Sequence, residues 1–140
     1  MKAIILLGRF LFSLIFIVTI TSHFSPHTIQ YAASAGVPVP SILVPLAAII
    51  ATLGGLSILL GFKARLGAWL IVIFLVPVTL WMHRFWSVAD PGMQAMQKIN
   101  FMKNLSLTGA ALLISQFGAG PANLDAKKER KEIELQQKIK

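Results

Sequence analysis

Cysteine is absent from this 140-residue chain. Its absence removes structural disulfides, dithiol redox chemistry, thiolate metal sites and covalently attached haem. It leaves the compartment open, because a protein without thiols is indifferent to redox poise. Acidic residues are almost as scarce. There are five, and Asp90 is the only one that precedes Asp125. Acid–base catalysis by two carboxylates therefore lacks its parts. No Ser/His/Asp context and no glycine-rich phosphate loop occurs either, so the residues point to a protein without catalytic activity of its own. Charge of either sign is thin, at 13% of residues. A soluble domain carries about 25%, and the charge present here is too little to coat a water-soluble globule.

What the chain has in quantity is apolar side chains, 56% of the total. They gather in four runs, 3–22, 41–60, 66–82 and 99–117. A helix needs about 20 residues to cross a hydrocarbon core of about 30 Å, and each run is long enough. Only helices and closed barrels span lipid, where backbone groups find no water. The runs are continuous and lack the ten-residue alternation of barrel strands, which selects helices. The expected fold is all-α, an integral membrane four-helix bundle over 1–125, followed by a basic tail over 126–140. Arg9 interrupts the first run and no small-x-small cleavage site follows Ile20, so this run reads as a retained helix.

The net charge is +8. Residues 127–140 hold six basic and three acidic side chains, and the other cations are spread over segment ends. No basic stripe marks a nucleic-acid surface, and membrane lipid is the simpler partner. Lys2, Lys63, Arg65 and the six tail cations fall on one side of the expected membrane, with Arg84 and Lys98 on the other. The positive-inside rule then puts both termini in the cytoplasm and the loops 23–40 and 83–98 outside. Within these loops Ser25-Pro26 and Asp90-Pro91 are cap-and-first-turn pairs. They predict a short helix over about 26–35, ended by Gly36, and a fourth helix that starts near Pro91.

Ala47, Ala51 and Gly55 recur at four-residue spacing beside Ala48 and Gly54, and Gly109, Ala110 and Ala111 follow in the fourth run. Such small residues let helix backbones approach closely in lipid. Pro45 and Pro77 are expected to bend their helices locally. Two charged residues lie inside runs. Arg9 either snorkels to headgroups or takes a buried role. Lys103 borders a stripe of Asn100, Asn104 and Thr108 at helical spacing. Lipid rejects that stripe, so it should face other helices, either to hydrogen-bond between them or to line an outward-opening pocket. His83, Asn100, Lys103 and Asn104 are the candidate pocket residues. All three histidines, His23, His27 and His83, sit on the same outer side at helix ends or in loops. That placement suits interfacial residues better than a haem or metal pair, and Met82, Met93, Met96 and Met102 suit packing better than a copper site.

The residues LLGR (6–9), YAASAGVPVP (31–40), GGLSILLGFKAR (54–65), MHRFW (82–86), NFMKNLSLTGAALL (100–113) and GAGPANLD (118–125), in this order and spacing, resemble the DoxX family of small bacterial inner-membrane proteins. The resemblance implies a four-helix membrane bundle in which Arg9, His83, Lys103 and Asn104 occupy recurring polar positions. Some members look like membrane subunits of thiosulfate:quinone oxidoreductase or partners in redox-stress complexes. Ala51 stands where many members carry a glutamate, and Thr21, Ser22 and His23 where many carry Gly and Lys. The missing carboxylate speaks against a proton relay. The resulting expectation is an accessory or membrane subunit near quinone-linked redox chemistry. It would have a polar outward-facing pocket, membrane lipids around it, and an oxidoreductase or a second copy of the chain as partner. No cofactor is fixed by the residues; quinone is the one the resemblance allows. A quinone-reducing subunit with the acceptor near Lys103, Asn104 and His83, or a small-solute permease working as an oligomer, are the other classes.

Overall fold

The computed structural model describes residues 2–120, 123–125, 131 and 135–137. These residues are helical throughout apart from short connections, and no strand occurs among them. The first apolar run forms α1 (Lys2–Val18) and the one-turn α2 (Ile20–His23). The two are parted at Thr19, whose hydroxyl donates back to the Ile15 carbonyl at 2.7 Å, a local bond that competes with the helix ladder. A short α3 (Pro26–Ser34) follows, then α4 (Pro40–Leu60) and α5 (Ala64–Met82). A 3-10 turn at Phe85–Ser87 leads into α6 (Pro91–Phe117).

Local chemistry sets these boundaries. The Ser25 side chain accepts from the Thr28 amide at 3.2 Å and opens α3, with Pro26 at its first position. Asp90 does the same for α6 through the Met93 amide at 2.7 Å, ahead of Pro91. Both satisfy amides that a helix start leaves without partners. Gly36 follows α3 at φ +82° and Gly61 ends α4 at φ +66°, in the left-handed region that glycine tolerates best.

Three stretches have the length and apolarity to cross a membrane: Lys2–His23, Pro40–Leu60 and Ala64–Ser87. The longest helix, α6 at 27 residues, is not one of them. The apolar stretch expected over 99–117 is the second part of a helix whose first turns carry Gln94, Gln97, Lys98 and Asn100. Of the tail, Lys131 and residues 135–137 are helical; the rest of that expectation lies outside the described residues.

Substantial packing links α1 to α4, α4 to α5 and α5 to α6, with α3 laid against α4. The core, which includes Phe16, Ala51, Ile58, Ala68, Ile71, Leu75 and Ala111, lies along this row. Two adjacent glycines let α4 approach both neighbours. A Cβ on Gly54 would sit 2.8 Å from the Gly67 carbonyl of α5, and one on Gly55 would sit 3.1 Å from Phe16 of α1. Close backbone approach through small residues is how helices associate where lipid gives no hydrophobic drive between them. Thr52 adds a hydrogen bond from α4 to the Phe16 carbonyl of α1 at 3.2 Å. On α6, Ala111 is fully buried, whereas a Cβ on Gly109 would meet nothing within 4 Å.

Candidate functional site

A half-enclosed cavity of about 450 Å³ lies among α3, α4 and α5, at the end where α5 finishes. Leu43, Val44, Leu46, Ala47 and Ile50 line it from α4, and Ile73, Phe74, Pro77, Val78, Trp81 and Met82 from α5. Thr28 and Val37 close it from α3 and the turn beyond. Nearly all of this wall is apolar. Ala47 and Pro77 contribute little bulk, which leaves room inside a helix row that is otherwise closely packed. Two imidazoles, His23 and His83, complete the lining. An apolar concavity with few polar groups is the usual form of a small-molecule site.

The protonation of these imidazoles follows from their neighbours. His23 Nδ1 lies 2.7 Å from the Thr19 carbonyl. A carbonyl only accepts, so Nδ1 carries the proton, and in the neutral ring Nε2 holds a lone pair. His83 Nδ1 lies 2.7 Å from Gln97 Oε1. Gln97 Nε2 donates to the Tyr31 hydroxyl at 2.8 Å, and Tyr31 in turn donates to the Met82 carbonyl at 3.3 Å. The one tyrosine proton is used on Met82, so Tyr31 has to accept from the Gln97 amide. That fixes the amide's orientation, turns Oε1 towards His83, and makes His83 Nδ1 a donor too. Gln97 is 8% exposed, and this chain of bonds satisfies it where water is scarce.

The same residues fasten α3 over the cavity. Tyr31 ties α3 to the end of α5 and to α6 through Met82 and Gln97. Arg84 donates to the Ala35 carbonyl at 2.6 Å, fixing the C-terminal end of α3. Phe85, Trp86 and Phe101 stack edge to face beside them, with centroids 5.1 to 5.8 Å apart, a geometry that ring quadrupoles favour. His27 is exposed and lies outside the lining.

Of the pocket residues expected from the sequence, His83 lines the cavity and Asn100, Lys103 and Asn104 do not. Asn100 and Asn104 are half-buried, on the α6 face that also holds buried Gln97, Ala111 and Ser115. Lys103 is exposed beside that face, among the exposed side chains of Ile99, Met102 and Leu105. Gln97 is the residue that sequence reasoning missed. It lies three and seven positions before Asn100 and Asn104, so extending their stripe by one helical turn reaches it. Among the described residues no group of three or more His, Asp or Glu is placed to hold a metal ion.

Arg9 lies at the opposite end and is 6% exposed. Its Nε donates to the Ile58 carbonyl at 3.0 Å, which also accepts from the Gly61 amide at 3.1 Å, and its terminal nitrogen donates to the Leu59 carbonyl; both lie in the last turn of α4, where the helix ladder runs out of donors. The closing segment docks alongside. Asp125 accepts from the Lys63 amide at 2.8 Å, and its own amide donates to the Gly61 carbonyl at 3.2 Å.

The family model described as DoxX matches residues 4–84, from the start of α1 to Arg84. The inner membrane protein YphA of Escherichia coli (strain K12) is 33% identical over 98 residues, covering 70% of this chain and 69% of that protein. No solved structure matches.

Proposed function

The chain belongs to the DoxX family and is an inner-membrane protein, and from that premise we propose that it is an accessory membrane subunit whose cavity among α3, α4 and α5 holds a lipid-soluble molecule of quinone type beside a redox partner. The observation that carries this reading is the cavity itself. Its walls suit an apolar ring and tail, and its two imidazoles suit a polar head. The family resemblance supports the quinone link, and the lack of paired carboxylates supports an accessory role over a catalytic one.

In this reading α6 is a fourth crossing, completing a four-helix membrane bundle. Both termini are cytoplasmic and the His83 end faces outward, as the distribution of Lys and Arg supports. The α6 surface that presents Lys103, with Asn100 and Asn104 at its edge, is where a partner protein or a second copy would sit, since an exposed lysine within an apolar helix face is costly against lipid.

Purification of the full chain in mild detergent, followed by mass spectrometry of its organic extract and of co-purifying proteins, tests the proposal. The expected result is about one isoprenoid quinone, counted as quinone plus quinol, retained per chain, together with an oxidoreductase subunit. An extract that matches bulk lipid, with no redox protein retained, would overturn it.

A further inference from the structure

We infer that the cavity among α3, α4 and α5 selects ligands whose head is a hydroxyl, a phenol or hydroxylated ring on an apolar body, over ligands of the same shape that only accept hydrogen bonds, so that of the two redox forms of a quinone-type ligand it holds the quinol. The inference rests on the cavity being a binding site, as proposed above, and adds what its polar groups demand.

His23 and His83 each have Nδ1–H committed to a carbonyl oxygen, Thr19 and Gln97 Oε1 respectively. A neutral imidazole has one proton, so each ring offers only the Nε2 lone pair for any further bond. Both rings line the cavity. Neither can turn over without loss: His23 would give up its bond to the carbonyl one helical turn back, and His83 would break the chain through Gln97 and Tyr31. Of the other polar groups on the wall, the Thr28 hydroxyl pairs with Ser25 Oγ at 3.0 Å, and the Trp81 indole N–H is a donor only. A hydroxyl head matches this set, because it can donate to an imidazole Nε2. A ketone or ether head of the same size accepts only. It leaves the imidazole lone pairs unpaired in an apolar enclosure, where an unsatisfied polar group is expensive.

Matched probes separate the possibilities. 4-Nonylphenol and 4-nonylanisole share ring and tail and differ by the hydroxyl proton. Titration of the full-length protein in detergent, read by Trp81 fluorescence with a Trp81→Phe control, gives both affinities. The phenol should bind about five- to tenfold more tightly, the worth of one hydrogen bond. That preference should shrink towards one in His23→Phe and His83→Phe while the anisole affinity changes little. Equal affinity of the two probes for the unaltered protein overturns this inference and leaves the binding cavity standing, a result that does not depend on either variant folding. Failure of both probes to bind overturns the inference and the cavity reading together.

Discussion

At the Arg9 end of the helix row, a cation donates to the last carbonyls of α4 and an aspartate receives an amide of the next turn. At the His83 end, His83, Gln97, Tyr31 and the Met82 carbonyl form a hydrogen-bonded relay. Both ends satisfy buried polar groups, but they leave different things behind. Arg9 fills its space: a Cβ on Gly61 would already lie 2.8 Å from its guanidinium and within contact of Asn123. The histidines use one nitrogen each and border an open cavity. The comparison separates an end closed by side-chain packing from an end that keeps an open apolar cavity. Charge alone does not separate the two ends, since each holds a guanidinium bonded to backbone carbonyls, Arg9 at one and Arg84 at the other.

Replacement of Arg9 is the most severe way to disturb this contrast. Arg9→Leu removes the side-chain donor to Leu59 and one of the two donors to Ile58, together with the packing of a buried guanidinium, and should destabilise the protein in detergent by about 2–4 kcal/mol. Arg9→Lys should recover only part, because an ammonium lacks the planar fork that reaches two carbonyls at once. Thermal unfolding followed by circular dichroism measures both. Gly61→Ala comes next, at about 2–3 kcal/mol, from a positive φ and overpacking against Asn123. It should also release the closing segment, seen as faster protease cleavage near Asp125.

At the other end the effects are smaller and more local. Gln97→Leu should cost about 1–2 kcal/mol and, more tellingly, speed amide exchange in α3 and leave the Arg9 end unaffected. Gln97→Glu keeps an acceptor for His83 but loses the donor to Tyr31, so it should fall between the two. The smallest effect is expected for Lys103→Leu. Its side chain is exposed and outside the cavity, so the stability of the isolated protein should move by less than about 0.5 kcal/mol. A change in what co-purifies with the variant would then assign Lys103 to a partner surface.

These regions also differ in how far the sequence discloses them. Caps are local, so Ser25-Pro26 and Asp90-Pro91 announce α3 and α6 within four residues. The apolar runs announce the helices long and apolar enough to cross a membrane, and the Ala/Gly spacing of α4 announces close approach, though not that Gly54 and Gly55 serve opposite neighbours. Arg9 is visible as a charge in an apolar run, but its acceptors are carbonyls some 50 positions away, on another helix. Helical periodicity shows that Asn100 and Asn104 share a face. It does not show which side of that face Lys103 favours, nor that Gln97, one turn back along the stripe, bonds to His83. The cavity is the least legible feature, because it is volume left among three elements whose packing is non-local.

Photolabelling with a lipophilic benzoquinol that carries a diazirine on its tail, applied to native membranes under reducing conditions and mapped by peptide mass spectrometry, tests the binding end most directly. The account predicts adducts concentrated on residues 43–50 and 73–83, reduced by an excess of unlabelled quinol and absent around Arg9. Adducts spread along the lipid-exposed side chains of α1 and α6, or unaffected by competitor, would contradict it.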